Sequence, residues 1–274
     1  MKNLADRLPV TQKMPVLFIG HGSPLNITLH NGFTRSLTAL GKRLPRPKAI
    51  MVISAHWLTN GTSVTCAEKP RTIHDFYGFP DELYEVIYPS PGAPEYADLA
   101  MKAVQKVRIG GDDEWGLDHA SWAVLKHMYP SADIPVFEMS LDYRFNEWHP
   151  KPLQYHYELA TELRPLRTRG VLIMGSGNIV HNLGLADFDD MDAKPVDWAV
   201  EFDEIVKKRL VDGNHQDLCN YRRMGDNASL GVPSLDHYLP MIYAAALQEK
   251  DEPLTFTHDG FQNGSISMRC FQIG

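Results

Sequence analysis

Four short apolar runs, rich in β-branched residues, constrain the fold of this chain more than any other feature. They lie at 16–19, 49–54, 134–139 and 171–174, and each is largely apolar at consecutive positions. A strand with one face in solvent alternates apolar and polar residues, whereas a continuously apolar strand is covered on both faces. The runs therefore predict strands inside a sheet that has helices on both sides.

Stretches with helical spacing separate these strands, at roughly 32–43, 94–106, 120–129, 150–167, 195–211 and 236–249. Strands that alternate with helices favour an α/β fold with a mostly parallel sheet. In the tail, Leu254 to His258 and Ser265 to Gln272 are predicted as two edge strands joined by a turn, which would make the sheet mixed. We predict a polar arm at 1–13 and a single three-layer α/β/α domain at 14–274.

Charge and cysteine content exclude several classes of function. The net charge is −7, and the Lys and Arg residues are scattered, so neither a nucleic acid nor a membrane surface is expected as a partner. Cys66, Cys219 and Cys270 form no CxxC pair, which argues against a disulfide framework and against a thiolate zinc site. Because no signal-peptide core or membrane-length apolar run is present, the expected location is cytoplasmic.

Histidines follow three of the four predicted strands. His21 and His56 come directly after the first and second strands, and His181 follows the fourth at a greater distance. Open α/β sheets bind ligands beyond the carboxyl ends of their strands, so these side chains should converge at one edge. A single histidine is usually structural, but convergence makes His21 and His56 functional candidates. Neutral imidazoles are the commonest metal ligands at physiological pH, which indicates a metal site.

A third ligand must come from elsewhere in the chain. His237 lies at the start of a predicted helix that Ser234 or Asp236 could cap, and its spacing leaves a surface role equally open. No H-E-x-x-H motif occurs, and the strand ends carry no carboxylate cluster of the kind found in two-metal hydrolases. An open mononuclear site with nitrogen ligands suits non-haem Fe(II), although Zn(II) would also fit.

Six motifs, in this order, resemble those of class III extradiol ring-cleavage dioxygenases, and most closely the 4,5-DOPA extradiol dioxygenase branch. The resemblance extends from about residue 14 to the closing Gln272-Ile273-Gly274. The motifs are Gly20-His21-Gly22-Ser23-Pro24, Ser54-Ala55-His56-Trp57, Thr72-Ile73-His74-Asp75-Phe76 with Gly78-Phe79-Pro80, Gly116-Leu117-Asp118-His119-Ala120-Ser121-Trp122, Gly175-Ser176-Gly177-Asn178-Ile179-Val180-His181-Asn182-Leu183 and His237-Tyr238-Leu239-Pro240.

The resemblance implies a role for five histidines. His21, His56 and His237 would be the metal ligands. His181 would be the acid–base residue, and His119 would be a second pocket histidine that contacts substrate or oxygen. The third ligand of the wider class is a glutamate, so His237 departs from the usual triad and makes the metal centre more positive by one charge. In a zinc-loaded form, His181 could instead be a fourth ligand.

The implied reaction opens the ring of a DOPA-like catechol with O2, using Fe(II) as the working metal; Zn(II) is a plausible metal in the purified protein. A catechol must lose protons to bind iron through both oxygens, which a base near neutral pH achieves best. Aromatic residues beside the motifs could form apolar walls for the substrate, and core packing is the alternative for each. These residues are Trp57, Phe76, Tyr77, Trp122 and Tyr238, with His74 as a further candidate substrate contact.

Two other functions are supported less well. A zinc hydrolase needs a carboxylate base, and only Asp75 and Asp118 lie in suitable motifs. Neither Ser23 nor Ser176 lies in the G-x-S-x-G motif of a serine nucleophile. A non-enzymatic metal-binding protein would need clustered ligand tracts, whereas these histidines are dispersed along the chain.

Overall fold

A computed structural model describes residues 8–146 and 148–274 of the chain. Its strands are β1 (Val16–Gly20), β2 (Ala49–Thr59), β3 (Ser63–Thr65), β4 (Gly110–Asp112), β5 (Val136–Asp142), β6 (Val171–Gly177), β7 (Leu254–His258), β8 (Phe261–Gln262), β9 (Ile266–Ser267) and β10 (Cys270–Ile273). Eight of them form one sheet in the order β4-β3-β5-β2-β6-β1-β10-β7, and β8 pairs with β9 in a separate two-stranded sheet.

The centre of the large sheet is parallel. β5, β2, β6 and β1 pair in parallel as direct neighbours. Antiparallel pairs flank them, β3 with β5 on one side and β1 with β10 and then β7 on the other. The predicted mostly parallel, mixed sheet is therefore confirmed, and the carboxyl ends of its central strands share one edge.

Helices cover both faces of the sheet. Successive β1 residues alternate between two cores: Phe18 packs in the core that includes α3, α5, α6 and α9, and Leu17 and Ile19 pack in the core that includes α1 and α4. This arrangement confirms the three-layer architecture. The helices are α1 (Gly32–Arg43), α2 (Asp81–Tyr84), α3 (Pro94–Ala103), α4 (His119–Met128), α5 (Pro152–Thr161), α6 (Asp197–Val211), α7 (His215–Cys219), α8 (Ala228–Gly231) and α9 (Leu239–Ala246).

Two features differ from the sequence-based prediction. The predicted helix at 150–167 ends at Thr161 and is followed by a 3-10 helix, Arg164–Arg169, because Pro165 cannot donate the hydrogen bond that an α-helix interior requires. The predicted edge strand at 265–272 was wrong in two respects. It is divided into β9 and β10, and β10 is an interior strand, consistent with its nearly continuous burial.

Residues 1–7 of the predicted N-terminal arm lie outside the described residues. The rest of the arm packs against its own domain. Leu8 is buried, and the Thr11 backbone N–H donates to the Thr168 carbonyl over 2.8 Å. Within the described ranges, none of the helices combines the length and apolar character needed to cross a membrane.

Candidate metal centre

Three histidines from separate segments meet at the carboxyl edge of the parallel strands. His21 directly follows β1, His56 lies within β2, and His237 lies just before α9. One ring nitrogen from each lies within 4.8 Å of the other two. The ring centroids form a nearly equilateral triangle with sides of 5.2, 5.3 and 5.0 Å. Three imidazoles at this spacing have the arrangement needed to ligate a single ion.

Glycines allow these segments to approach one another. Gly22, directly after His21, has a φ of +63°, and a Cβ there would lie 2.5 Å from Met268 Sδ. Gly177, at the end of β6, allows the chain at His237 to pass close by, because a Cβ would lie 2.2 Å from the His237 carbonyl oxygen. Both glycines are thus required by local geometry, one for its backbone angle and one for its lack of a side chain.

Ser176 determines which nitrogen of His21 faces the site. The Ser176 hydroxyl donates to the Ala120 carbonyl over 2.6 Å, so its oxygen is left to accept from His21 Nδ1, 3.0 Å away. The proton of the neutral ring is then on Nδ1, and Nε2 carries a free lone pair. Ser176 is placed for this by sheet register, since it pairs with Ile19 across β1 and β6.

The carboxylate of Asp75 lies beside His56. Its Oδ2 atom lies 3.2 Å from His56 Nδ1, and an ionised carboxylate can only accept. Burial raises the pKa of Asp75, but hydrogen bonds from His119 outweigh this and hold the pKa below its ordinary value. A proton on His56 Nδ1 would face this carboxylate and leave the Nε2 lone pair for a metal.

The two rings also approach each other directly. The Nε2 atoms of His21 and His56 are 3.2 Å apart, so without an ion His56 Nε2–H can donate to the lone pair of His21 Nε2. Burial, reinforced by the neighbouring imidazoles, lowers the pKa of both rings well below the usual value, so both rings are neutral and each has one nitrogen lone pair to offer a metal. His237 Nδ1 is also buried and has no hydrogen-bond partner among the described residues; Asp236 Oδ1 is 3.5 Å away.

The other two predicted site histidines join the same cluster. His119 is the first residue of α4; its Nδ1 lies 2.9 Å from Asp75 Oδ2, and its ring centroid is 4.2 Å from that of His56. His181 stacks on His237 with centroids 3.5 Å apart and an angle of 5° between the rings. Burial and the nearby His237 lower the pKa of His181 to about 2. The structure thus brings all five predicted histidines together.

The aromatic residues that were predicted to form the substrate walls differ in where they lie. Phe76 packs edge-on against His119, with centroids 5.5 Å apart, so it borders the histidine cluster. Trp57 follows His56 in β2, is buried and stacks on Trp115 with ring centroids 5.4 Å apart. Tyr77 is 92% exposed. Of these aromatic residues, Phe76 is the one whose placement favours contact with a substrate.

Trp122, Tyr238 and His74 have their polar atoms occupied by backbone carbonyls. Trp122 is fully buried and its indole N–H donates to Ile73 over 2.8 Å, while the buried Tyr238 hydroxyl donates to Leu218 over 3.3 Å. His74 Nε2 bonds the carbonyl of Val86 over 2.9 Å, and its ring packs against Trp122. This placement favours packing over substrate contact for all three.

Asp118 and Glu138 form a buried carboxyl pair that was not predicted as a pair from the sequence. Glu138 Oε1 accepts from the Asp118 backbone N–H over 2.8 Å and from the Ser121 hydroxyl, and Oε2 accepts from Trp115 Nε1 over 3.0 Å. Ser54 donates to Asp118 Oδ2 over 2.5 Å. Burial raises the pKa of Glu138 to about 7 and raises that of Asp118 well above its ordinary value. The pair connects the end of β2 to the start of α4, the two elements that carry His56 and His119.

Comparisons with known proteins identify the family of the chain. Residues 20–268 match the family described as catalytic LigB subunit of aromatic ring-opening dioxygenase. The chain is 42% identical over 273 residues to a protein of Escherichia coli (strain K12) named 4,5-DOPA dioxygenase extradiol, covering 98% of each chain. A protein of the same name from Mirabilis jalapa is 34% identical over 252 residues, covering 88% of this chain and 89% of the relative. A crystal structure of an uncharacterised protein from Escherichia coli K12 has a TM-score of 0.82 and 39% identity, covering 96% of this chain and 100% of the other. The chain therefore belongs to the family of catalytic LigB subunits of aromatic ring-opening dioxygenases.

Proposed function

We propose that this protein is an extradiol dioxygenase that opens the ring of a DOPA-like catechol with O2, and that His21, His56 and His237 hold one Fe(II). The observation that carries the proposal is the convergence of three imidazoles, with one ring nitrogen of each within 4.8 Å of the others and His21 Nε2 3.2 Å from His56 Nε2. The relatives named 4,5-DOPA dioxygenase extradiol support the choice of substrate.

Three neutral imidazoles make a cationic centre, since they contribute no charge to balance the metal. Fe(II), when bound, supplies the redox chemistry that connects catechol and O2 and that no side chain of the cluster can supply. Zn(II) is held by the same ligand type but has no redox chemistry, so a zinc-loaded protein is expected to be stable and inert as a dioxygenase.

The chain's own residues would handle the protons of the catechol. His119 keeps its Nδ1 proton on Asp75, and its Nε2 has no hydrogen-bond partner within the described ranges, so Nε2 is the atom that can take a proton. A carboxylate behind an imidazole stabilises the cation formed when the ring is protonated. His181 stays the residue that the family resemblance assigns to acid–base chemistry, and its ring stacks on His237.

Anaerobic reconstitution with Fe(II), followed by admission of O2 to a panel of catechols that includes DOPA, tests the proposal. We expect a yellow ring-opened product from at least one catechol, with consumption of O2. The zinc-loaded protein should give none. Hydrolytic turnover by an iron-free zinc form would overturn the proposal in favour of a zinc hydrolase. Metal binding without any turnover would favour a non-enzymatic metal-binding protein.

A further inference from the structure

We propose that a cavity between the start of α5 and the chain that follows α7 binds a small organic carboxylate through Arg222 and Arg223. The cavity has a volume of about 220 Å³. Pockets for drug-sized ligands measure about 300–1,000 Å³, so this one suits a smaller molecule. None of the five clustered histidines lines it, which makes it a site separate from the candidate metal centre.

The wall of the cavity carries positive charge that the chain does not neutralise. Arg222, Arg223 and His149 line it, and the described residues of the lining include no Asp or Glu. The arginines that form ion pairs within the described ranges are all others. A carboxylate close to them in sequence, Asp217, is already paired with Arg209 over 2.9 Å. An anionic ligand is therefore favoured over a neutral or cationic one.

Arg222 is held at the cavity by the residue before it. Its Nε donates to the Tyr221 hydroxyl over 3.3 Å, and its Cζ lies 5.9 Å from the centroid of the Tyr221 ring. Tyr221 is itself buried and packs against Tyr238, with ring centroids 5.3 Å apart. The two terminal nitrogens of Arg222 have no hydrogen-bond partner among the described residues. They can thus donate two parallel hydrogen bonds to one carboxylate.

The rest of the wall is neutral and partly apolar. Leu153 and Leu235 are buried side chains of the lining. Burial raises the pKa of the Cys219 thiol to about 12, so it adds no negative charge. His149 Nδ1 accepts from the Lys151 backbone N–H over 3.2 Å, which leaves its Nε2–H as a donor. A ligand with a carboxylate at one end and an apolar body at the other matches this wall better than an inorganic anion.

The cavity shares one segment with the metal centre. Leu235 lies two residues before His237, so their Cα atoms are at most about 7.6 Å apart. The Tyr238 backbone N–H donates to the Leu235 carbonyl over 3.1 Å and closes a turn between the two sites. Zn(II) affinity, measured beside ligand binding, therefore reports whether this turn is intact in a variant.

Isothermal titration calorimetry of metal-depleted protein tests the proposal with 3-phenylpropionate, which has a carboxylate and an apolar body but no catechol. Its neutral counterpart 3-phenylpropanol and inorganic phosphate are titrated in parallel. We expect saturable 1:1 binding of 3-phenylpropionate that weakens as salt is added, and weaker binding of both other probes. The Arg222→Gln/Arg223→Gln double variant should lose at least about 10-fold in affinity, because each lost hydrogen bond involves two charged groups.

The double variant should fold, since both arginines are exposed, and circular dichroism with Zn(II) affinity checks this. Arg108→Gln removes an exposed arginine outside the cavity and is the matched control, for which we expect wild-type binding.

Three results would overturn the proposal. Absence of saturable 3-phenylpropionate binding at millimolar concentrations would remove the site, and wild-type affinity in the folded double variant would remove the role of the arginines. Equal affinity for 3-phenylpropanol or for phosphate would refute an organic carboxylate as the ligand class. No iron and no ring opening enter these measurements, so the proposed dioxygenase function can fail or stand independently of them.

Discussion

His119 and His181 face the same cluster with different partners. His119 is hydrogen-bonded to a carboxylate, whereas the ring of His181 makes no hydrogen bond among the described residues and stacks on His237. An imidazole that must be protonated and deprotonated in each turnover benefits from a partner that compensates its charge. Two histidines with similar positions can therefore contribute to different steps.

His181→Ala tests the role that the family resemblance assigns to His181. If this residue transfers protons, the variant should retain stoichiometric Fe(II) and lose roughly 10²–10⁴-fold in turnover. Iron content and kcat at saturating catechol, measured on one preparation, check this. A parallel fall in iron affinity would indicate a fourth ligand. Retention of both iron and near-normal turnover would make His181 a structural residue.

The three proposed ligands give a second prediction at this scale. His21→Ala, His56→Ala and His237→Ala should each lose stoichiometric metal, with a larger effect than the roughly 10–100-fold expected for an outer residue such as Asp75. The fold should survive, because the two hydrophobic cores lie on either side of the sheet and contain none of these side chains. Metal content and circular dichroism measure the two outcomes, and full occupancy in all three variants would contradict the site.

The sequence predicts the identity of these histidines better than their hydrogen bonding. His21 and His56 follow apolar runs, and a motif contains His237, so all three can be located without coordinates. Asp75 and Ser176 could be considered only as a base and as a nucleophile. Their contacts depend on strand register and on the course of a long loop, which no local pattern encodes.

The position of His237 depends on how closely the segment before α9 approaches β6. A Cβ on Gly177 would meet the His237 carbonyl oxygen at 2.2 Å and Pro240 Cγ at 3.1 Å. The nearest neighbour is backbone, so no side-chain rotation can relieve the clash. The glycine therefore couples the end of a strand to the start of α9.

Gly177→Ala should consequently displace His237 and weaken Zn(II) binding, together with a loss of about 1–3 kcal/mol of stability from overpacking. Gly32→Ala, where nothing lies within 4 Å of the added Cβ, is the matched control and should change neither property. Chelator competition and urea unfolding measure the two effects. Wild-type affinity in Gly177→Ala would show that the loop relaxes without moving the ligand.

Glu138 gives a prediction for the pH dependence of stability. Burial raises its pKa from 4.5 to about 7, so between these values the folded protein keeps a proton that the unfolded chain releases. Its contribution to the free energy of unfolding is then present at low pH and decreases as the pH rises toward 7. Glu138→Gln should remove this decrease, at the cost of about 1–3 kcal/mol for a mismatched hydrogen bond.

Urea unfolding of both proteins from pH 5 to pH 8 measures the difference. The stability of the variant relative to wild type should improve from pH 5 to about pH 7 and level off above that. Taking the difference between the two proteins isolates Glu138 from the buried histidines, whose lowered pKa values act in the opposite direction. A difference that is constant with pH would contradict the raised pKa.

The elements themselves follow sequence patterns to different degrees. α1 has the predicted bounds, and the four core strands begin within two residues of their predicted starts. β3 and β4 have only three residues each, which is too short for a periodic pattern to be detected in the sequence. The order of β10 and β7 depends on pairing with β1, a long-range contact that the apolar pattern of the tail does not specify.

At the scale of the whole molecule, the site joins segments that are far apart in the chain. His21 follows β1 and His56 lies in β2, two strands that flank β6 in one sheet. His237 comes from the loop before α9, on the side of the core that includes α9. The fold class could be predicted because continuous apolar runs and helical spacing are local signals. The meeting of these three segments could be proposed only from the family resemblance, since it depends on the complete three-layer packing.

Because the ligands come from separate segments, the metal should bind the folded chain and not the unfolded one. Saturation at 100 times the dissociation constant then adds about 2.7 kcal/mol to the free energy of unfolding, or about 5–10 °C in Tm for a domain of this size. Scanning calorimetry across a Zn(II) titration should show a Tm that rises with the logarithm of free metal. In His21→Ala the same titration should leave Tm unchanged over that range. An equal rise in the variant would mean that the stabilising ion binds elsewhere, and the convergence of the three segments would then have another cause than metal binding.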